Sequence, residues 1–192
     1  MTVLTRKNLV NPEKGLSHIV GDLLDRKLDF SALIKNTDIL YHCAGELNDE
    51  KLMLPMHVKA TDRLLQATLQ EVERSGKPIH WVQLSSLGAY GPGLGGPNVE
   101  RIVTEETATQ PVGPYEITKT QADQLVVRAN EHPLFSYTIL RPSNVFGADM
   151  PNSSLRQLGR IVGKGLFFYI GKANATATYV HVDDVVDALI LC

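Results

Sequence analysis

Tyr115 and Lys119 stand four residues apart in the run Tyr115-Glu116-Ile117-Thr118-Lys119. On a helix that spacing puts both side chains on one face. An ammonium beside a phenol favours the phenolate, so a tyrosine that ordinarily ionises near about pH 10 becomes usable as an acid or base close to neutrality. The same pair would also suit a merely solvated helix surface, and its surroundings must decide. Further hydroxyls come from Ser85-Ser86, at the end of the apolar run Ile79 to Leu84.

Strand-like segments are expected at Thr2 to Leu4, His18 to Asp22, Asp38 to Cys43, Ile79 to Leu84 and Tyr137 to Leu140. Two more short ones are expected at Phe167 to Ile170 and Thr178 to Val180. Between them fall a short helix from Asp29 to Asn36, with Phe30, Leu33 and Ile34 inward, and a longer one from about Lys51 to Arg74. In the longer helix Val58, Leu65, Leu69 and Val72 recur at helical spacing, Pro55 is tolerable only in the first turn, and Ser75-Gly76-Lys77-Pro78 ends it. The helix opening at Tyr115 carries the stripe Ala122, Leu125, Val126 and Ala129. A polar helix from Ser153 to about Val162 and a last one capped by Asp183 complete the chain.

This alternation predicts an α/β fold: a doubly wound, Rossmann-like parallel sheet covered by helices on both faces, with residues 1–192 as a single domain. In such sheets ligands gather beyond the carboxyl ends of the strands, where Asp22, Gly45, Ser86 and Ser143 all fall. The glycine- and proline-rich stretch from Gly88 to Pro97 reads as a long connection of the kind that serves function or moves.

The 192 residues are 43% hydrophobic and 21% charged, with a formal net charge of -2. That is ordinary for a globular chain, and without a basic run it argues against nucleic acid or an anionic membrane surface as partner. No apolar run is long enough to span a membrane, and the first residues lack the apolar centre of a signal peptide, so a cytoplasmic location is expected. Cys43, inside an apolar run, reads as core, and no C-x-x-C pairs it with Cys192. His181, Asp183 and Asp184 read as a helix cap and packing, with no metal implied.

Six words in order carry a resemblance: Gly21-Asp22-Leu23; His42-Cys43-Ala44-Gly45; Ser85-Ser86-Leu87-Gly88-Ala89-Tyr90-Gly91; Tyr115-x-x-x-Lys119; Leu140-Arg141-Pro142-Ser143-Asn144-Val145-Phe146-Gly147; and Tyr179-Val180-His181-Val182-Asp183-Asp184. Together they make the chain resemble an extended short-chain dehydrogenase/reductase of the NAD-dependent epimerase/dehydratase family. The resemblance implies a catalytic Ser86, Tyr115 and Lys119, with Tyr115 as acid/base and Ser86 on the same substrate oxygen. Lys119 would bind the nicotinamide ribose and lower the tyrosine's pKa. It further implies an NAD or NADP site made by Arg6, Asp22, Leu23, Cys43, Ala44, Gly45, Tyr115, Lys119, Pro142 and Ser143, with Asn144 and Ser86 reaching the substrate. Arg6 and Lys7 lean slightly toward the phosphorylated cofactor, because a basic residue accommodates the 2′-phosphate.

Departures from the family pattern qualify this. The opening strand and its G-x-x-G-x-x-G turn are missing, so the chain reads as N-terminally truncated, and the strands at Thr2 and Asp38 should lack their shared neighbour. Leu87-Gly88 replaces the Asp-Glu pair of the dehydratases, Ala177 replaces an arginine of many nucleotide-sugar epimerases, and His57 and Ala60 replace an asparagine and a glycine. The expected activity is sugar or nucleotide-sugar epimerisation by transient hydride transfer, of the kind found in polysaccharide-synthesis clusters. A carbonyl reductase, and a catalytically inactive remnant acting as an interaction module, are the alternatives. Parts of a small substrate-binding region are expected at about 148–180, and a homodimer is the expected assembly.

Overall fold

A computed structural model of the chain describes residues 1–10, 13–92, 101–148, 154–168 and 177–192. The chain forms two compact units, Met1–Arg141 and Pro142–Cys192.

In the first unit β1 (Thr2–Thr5) pairs in parallel with β2 (Ser17–Val20), with Thr2 opposite Ser17 and Thr5 opposite Val20. A separate parallel sheet has the order β3-β4-β5, made by Ile39–His42, Ile79–Leu84 and Phe135–Leu140. Ile39 lies opposite His80, and Ile79 opposite Phe135. As expected, β1 and β3 share no strand among the described residues, where β1 is paired to β2 and β3 to β4. Both line one cleft of about 1000 Å³.

Helix α1 (Ser31–Ile34) is shorter than expected, while Phe30 and Ile34 are buried as its pattern requires. The long helix is three segments: α2 (Glu50–Met53), a π-helical turn over Leu54–Ala60, and α3 (Thr61–Ser75). Pro55 therefore lies beyond the first turn, contrary to expectation. It sits at the head of the π turn, where the α-type ladder is already interrupted and a missing N–H costs least. Gly76 ends α3 with φ +65, its N–H donating to Val72 O at 2.9 Å, the left-handed stop that glycine suits.

The core joins Ile34, Leu40, Leu64, Leu65, Val72, Ile79, Trp81, Val126 and Phe135. Strand β4 is central, with Ile79, Trp81, Val82 and Gln83 all buried, as a parallel strand covered on both faces should be. Trp81 donates its indole N–H to Gln83 Oε1 at 2.9 Å and meets the His42 ring edge-on at 5.5 Å. Helix α4 (Pro114–Ala129) opens on a proline, which suits the first helical position. Arg63 of α3 reaches across to the turn after β2, donating to Leu23 O and Asp25 O at 3.3 and 2.7 Å.

In the second unit β6 (Asn144–Phe146), a strand absent from the expected set, pairs in parallel with β7 (Tyr179–His181). Helices α5 (Ser154–Gly163) and α6 (Val182–Leu191) complete it. The cap of α6 is His181, whose side chain accepts from the Asp183 N–H, so Asp183 is helical and not the cap. Phe167 and Phe168 are described but not in a strand. The rest of that expected strand and Gly93 to Pro97 of the long connection lie outside the described residues.

Candidate active site

Ser85 and Ser86 follow β4 directly, and the backbone sends them in opposite directions. Ser85 is buried and donates to Asp123 Oδ2 at 2.7 Å. Ser86 caps a 3₁₀ turn over Leu87–Tyr90, its Oγ accepting from the Gly88 N–H at 3.1 Å. A hydroxyl that accepts there still has its own proton to donate.

The turn after Ser86 lies against the start of α4. A Cβ placed on Gly88 would come within 2.6 Å of Glu116 Cγ, and one on Gly113 within 2.2 Å of Glu116 Oε2. Glycine at both positions lets the residue next to Tyr115 close over the Ser86 turn. The same turn is held from its other side: Gln110 N–H donates to Ala89 O at 2.9 Å, and Arg101 donates to the Tyr90 and Gly91 carbonyls. Gly91, with φ +64, has the Gln110 carbonyl where a Cβ would sit, at 1.9 Å.

Tyr115 and Lys119 rise from one face of α4 as expected, and Lys119 is 4% exposed. Its ammonium donates to the carbonyl of Leu84, the residue that leads β4 into the two serines. It also lies within electrostatic reach of His42, Cys43 and His57. Burial holds the Lys119 pKa below the usual lysine value, with Asp123 the larger of the influences opposing it. The expected lowering of Tyr115 is not found: burial first, then Glu116 and Asp123, push its phenol up. With the ammonium committed to a strand carbonyl and two carboxylates near the ring, the balance favours the neutral phenol.

His57, from the π turn, is the neighbour the sequence reading undervalued. Its ring meets Tyr115 edge-on at 5.4 Å, Nε2 accepts from the Glu46 N–H at 2.9 Å, and Nδ1 lies 2.7 Å from Thr118 Oγ1. Burial, and then the Lys119 charge, lower its pKa to about 4. Its departure from the family's asparagine was the available signal. Asp123 was missed altogether, although it lies one further turn along the face shared by Tyr115 and Lys119. Its Oδ2 also accepts from Arg141 Nε and a terminal nitrogen at 3.1 and 3.0 Å, and Arg141 donates to the Tyr90 hydroxyl at 3.0 Å.

Arg6, Asp22, Leu23, Cys43, Ala44 and Gly45 all line the cleft between β1 and β3. Asp22 there accepts from the Leu24 N–H at 2.9 Å. Cys43 is exposed and not core, because it lies just past the end of β3, on the cleft. Pro142, Ser143 and Asn144 belong to the second unit, where the Asn144 amide donates to Thr178 O at 3.2 Å. Among the described residues no group of three or more His, Cys, Asp or Glu could hold a metal ion, and no helix is long and apolar enough to cross a membrane.

Comparison with known proteins gives the site a context. MoeE5, solved with UDP-glucuronic acid and NAD, superposes with a TM-score of 0.77 at 26% identity over 99% of this chain and 62% of that one. The UDP-glucuronic acid 4-epimerase of Bacillus cereus, solved with UDP-glucuronic acid and NAD, has a TM-score of 0.72 at 20% identity, covering 93% of this chain and 55% of that one. Among curated proteins, UDP-arabinose 4-epimerase 1 of Arabidopsis thaliana is 29% identical over 108 residues, 45% of this chain and 26% of the relative. The chain thus spans less than two thirds of the length of each of these relatives. The folds are shared, with parallel strands and Rossmann-like architecture. The model of the NAD dependent epimerase/dehydratase family matches residues 1–192, and the chain belongs to that family.

Proposed function

We propose that this chain carries the proton-transfer site of an NAD-dependent nucleotide-sugar epimerase, with Tyr115 as acid/base, Ser86 on the same substrate oxygen and Lys119 as the fixed cation. The observation that supports this most is the gathering of the Ser86 turn, Tyr115 and Lys119 at the carboxyl end of β4, with Lys119 within electrostatic reach of Cys43 on the cleft. Extended nucleotide-sized ligands bind at this end of such sheets. The cleft residues Arg6, Asp22, Leu23, Cys43, Ala44 and Gly45 suit a dinucleotide: Cys43, Ala44 and Gly45 would allow close approach, and the Asp22 carboxylate would serve the adenosine half.

Bound nicotinamide would supply hydride acceptance and return. The chain's own residues handle the proton. Tyr115, neutral at rest, gives its proton to a ketone oxygen and takes it back from a hydroxyl, while Ser86 steadies that oxygen. Lys119 would offset the charge left on the phenol. NAD is the cofactor proposed, as in the solved relatives. The lean toward NADP is not carried forward, because the Glu46 carboxylate is within electrostatic reach of Arg6. For Pro142 and Ser143 the family resemblance proposes contacts to the cofactor, and for Asn144 a contact to the substrate.

Titration of the 192-residue chain with NADH and NADPH is the first test, and absence of binding at millimolar concentrations of both would sink the enzyme reading. If NADH binds, Tyr115→Phe should retain binding and lower turnover of a UDP-sugar by about 10²–10⁴-fold, the usual worth of a positioned acid/base. Net oxidation of NADH by substrate would replace the epimerase with a carbonyl reductase. A second reading, a chain that retains the site without turnover, is favoured by the separation of β1 from β3. NADH binding without exchange at the sugar carbon would support it.

A further inference from the structure

We propose that His57 is a positioning residue that clamps the cofactor-facing loop Ala44–Glu46 to the helix bearing Tyr115 and Lys119. The cofactor half of this inference rests on the proposed function; the clamp itself does not. His57 lies on the π-helical turn between α2 and α3, and such turns break the regular ladder where a side chain must be presented off the normal helical face. The imidazole is 1% exposed and uses both ring nitrogens.

The hydrogen-bond accounting fixes its tautomer. Nε2 faces a backbone N–H, that of Glu46, and can only accept from it. Nδ1 must then carry the proton, and it donates to Thr118 Oγ1 at 2.7 Å. The Thr118 hydroxyl is left to donate to the carbonyls of Pro114 and Tyr115, at 2.8 and 3.1 Å, in the first turn of α4. One ring therefore connects a loop on the cleft to the backbone of Tyr115, and its edge-on contact supports the tyrosine ring as well. A protonated ring would set an N–H against the Glu46 N–H, so the clamp requires the neutral form. Lys119, the cation nearest on α4, opposes protonation, and Glu46, on the clamped loop, favours it.

The family's asparagine cannot do this. An asparagine amide occupies the place of Nδ1 and can still serve Thr118, but it ends short of Nε2 and of the loop. A glutamine reaches the Nε2 position and can still accept from Glu46. His57→Asn and His57→Gln therefore cut opposite arms of the clamp.

The test combines imidazole nitrogen NMR, amide exchange and NADH titration on the full chain. At neutral pH the His57 ring should show a protonated Nδ1 and a bare Nε2. The Glu46 amide should exchange about tenfold faster in His57→Asn, the loss expected for one hydrogen bond, and within about threefold of the parent in His57→Gln. NADH affinity should follow the same order. A cationic or Nε2-protonated ring, or equal Glu46 exchange in the two variants, overturns the clamp. Equal NADH affinities overturn its link to the cofactor. If the parent does not bind NADH, the proposed function fails while the ring spectrum and the Glu46 amide still decide the clamp. Should His57→Asn not fold, Thr118→Val removes the acceptor of Nδ1–H, together with the hydroxyl's own bonds to the Pro114 and Tyr115 carbonyls, and leaves the imidazole in place; a ring spectrum unchanged from the parent overturns the proposal.

Discussion

Strands β4 and β1 are both parallel, both short and both lead toward the candidate site, yet they are held by different means. In β4 four of six residues are buried, and Trp81 packs between the rings of His42 and Phe135. In β1 no residue is buried, one edge faces the cleft, and the β1–β2 pair is tied to the rest by reaching contacts such as those of Arg63. The residues proposed to handle the proton are thus set in a core that closes on itself, while half of the proposed cofactor surface stands on a two-stranded ribbon. Such a ribbon is marginal by itself.

The sharpest way to test that contrast is to damage the core. Trp81→Ala should destabilise the chain by about 3–5 kcal/mol, read from the urea midpoint, since a large buried aromatic leaves a cavity the sheet cannot close. A loss no greater than that of Val3→Ala in β1 would erase the distinction. Acidification comes next. His42 and His57 have pKa values lowered from 6.5 to about 3 and about 4, by burial foremost and then by Lys119. The unfolded chain therefore binds more protons than the folded one below about pH 6.5. Stability should be full above that pH and fall steadily toward pH 4, and a urea midpoint that rises on acidification would contradict the assignment. Arg63→Ala should cost about 1.5–3 kcal/mol, from the loss of hydrogen bonds made by a charged group. Hydrogen exchange should accelerate in β1 and β2 but not in β4, and uniform acceleration would mean the two sheets open together. The smallest effect belongs to Tyr41→Thr, 43% exposed on β3, which should stay within about 0.5 kcal/mol.

Much of this was legible in the sequence, and the failures have physical causes. Helix α4 was readable because proline, stripe and the Tyr115–Lys119 spacing agree with one another. The π turn was not, since a one-residue irregularity leaves the apolar spacing of Leu65, Leu69 and Val72 intact. Cys43 was misplaced because an apolar strand end reads the same whether its edge is paired or open. Strand β6 was hidden by Pro142, which suggests a loop while merely preceding the strand. At the site, Ser86 was implied by the resemblance alone, and in the structure its neighbour Ser85 is turned toward Asp123. The rise in the Tyr115 pKa could not be anticipated, because it depends foremost on how deeply the phenol is buried, and then on the carboxylates of Glu116 and Asp123.

The two facing strand edges also bear on how the chain behaves in solution. Among the described residues, the backbone N–H and C=O groups of β1 and β3 on the cleft side meet no ladder partner. Open edges of this kind are templates for intermolecular strand pairing. Tyr41 and Ile39 stand exposed on β3, and the cleft beside them also carries Lys35 and Asp38. Self-association should accordingly rise with protein concentration, and dilution will matter more than salt in keeping the chain monodisperse.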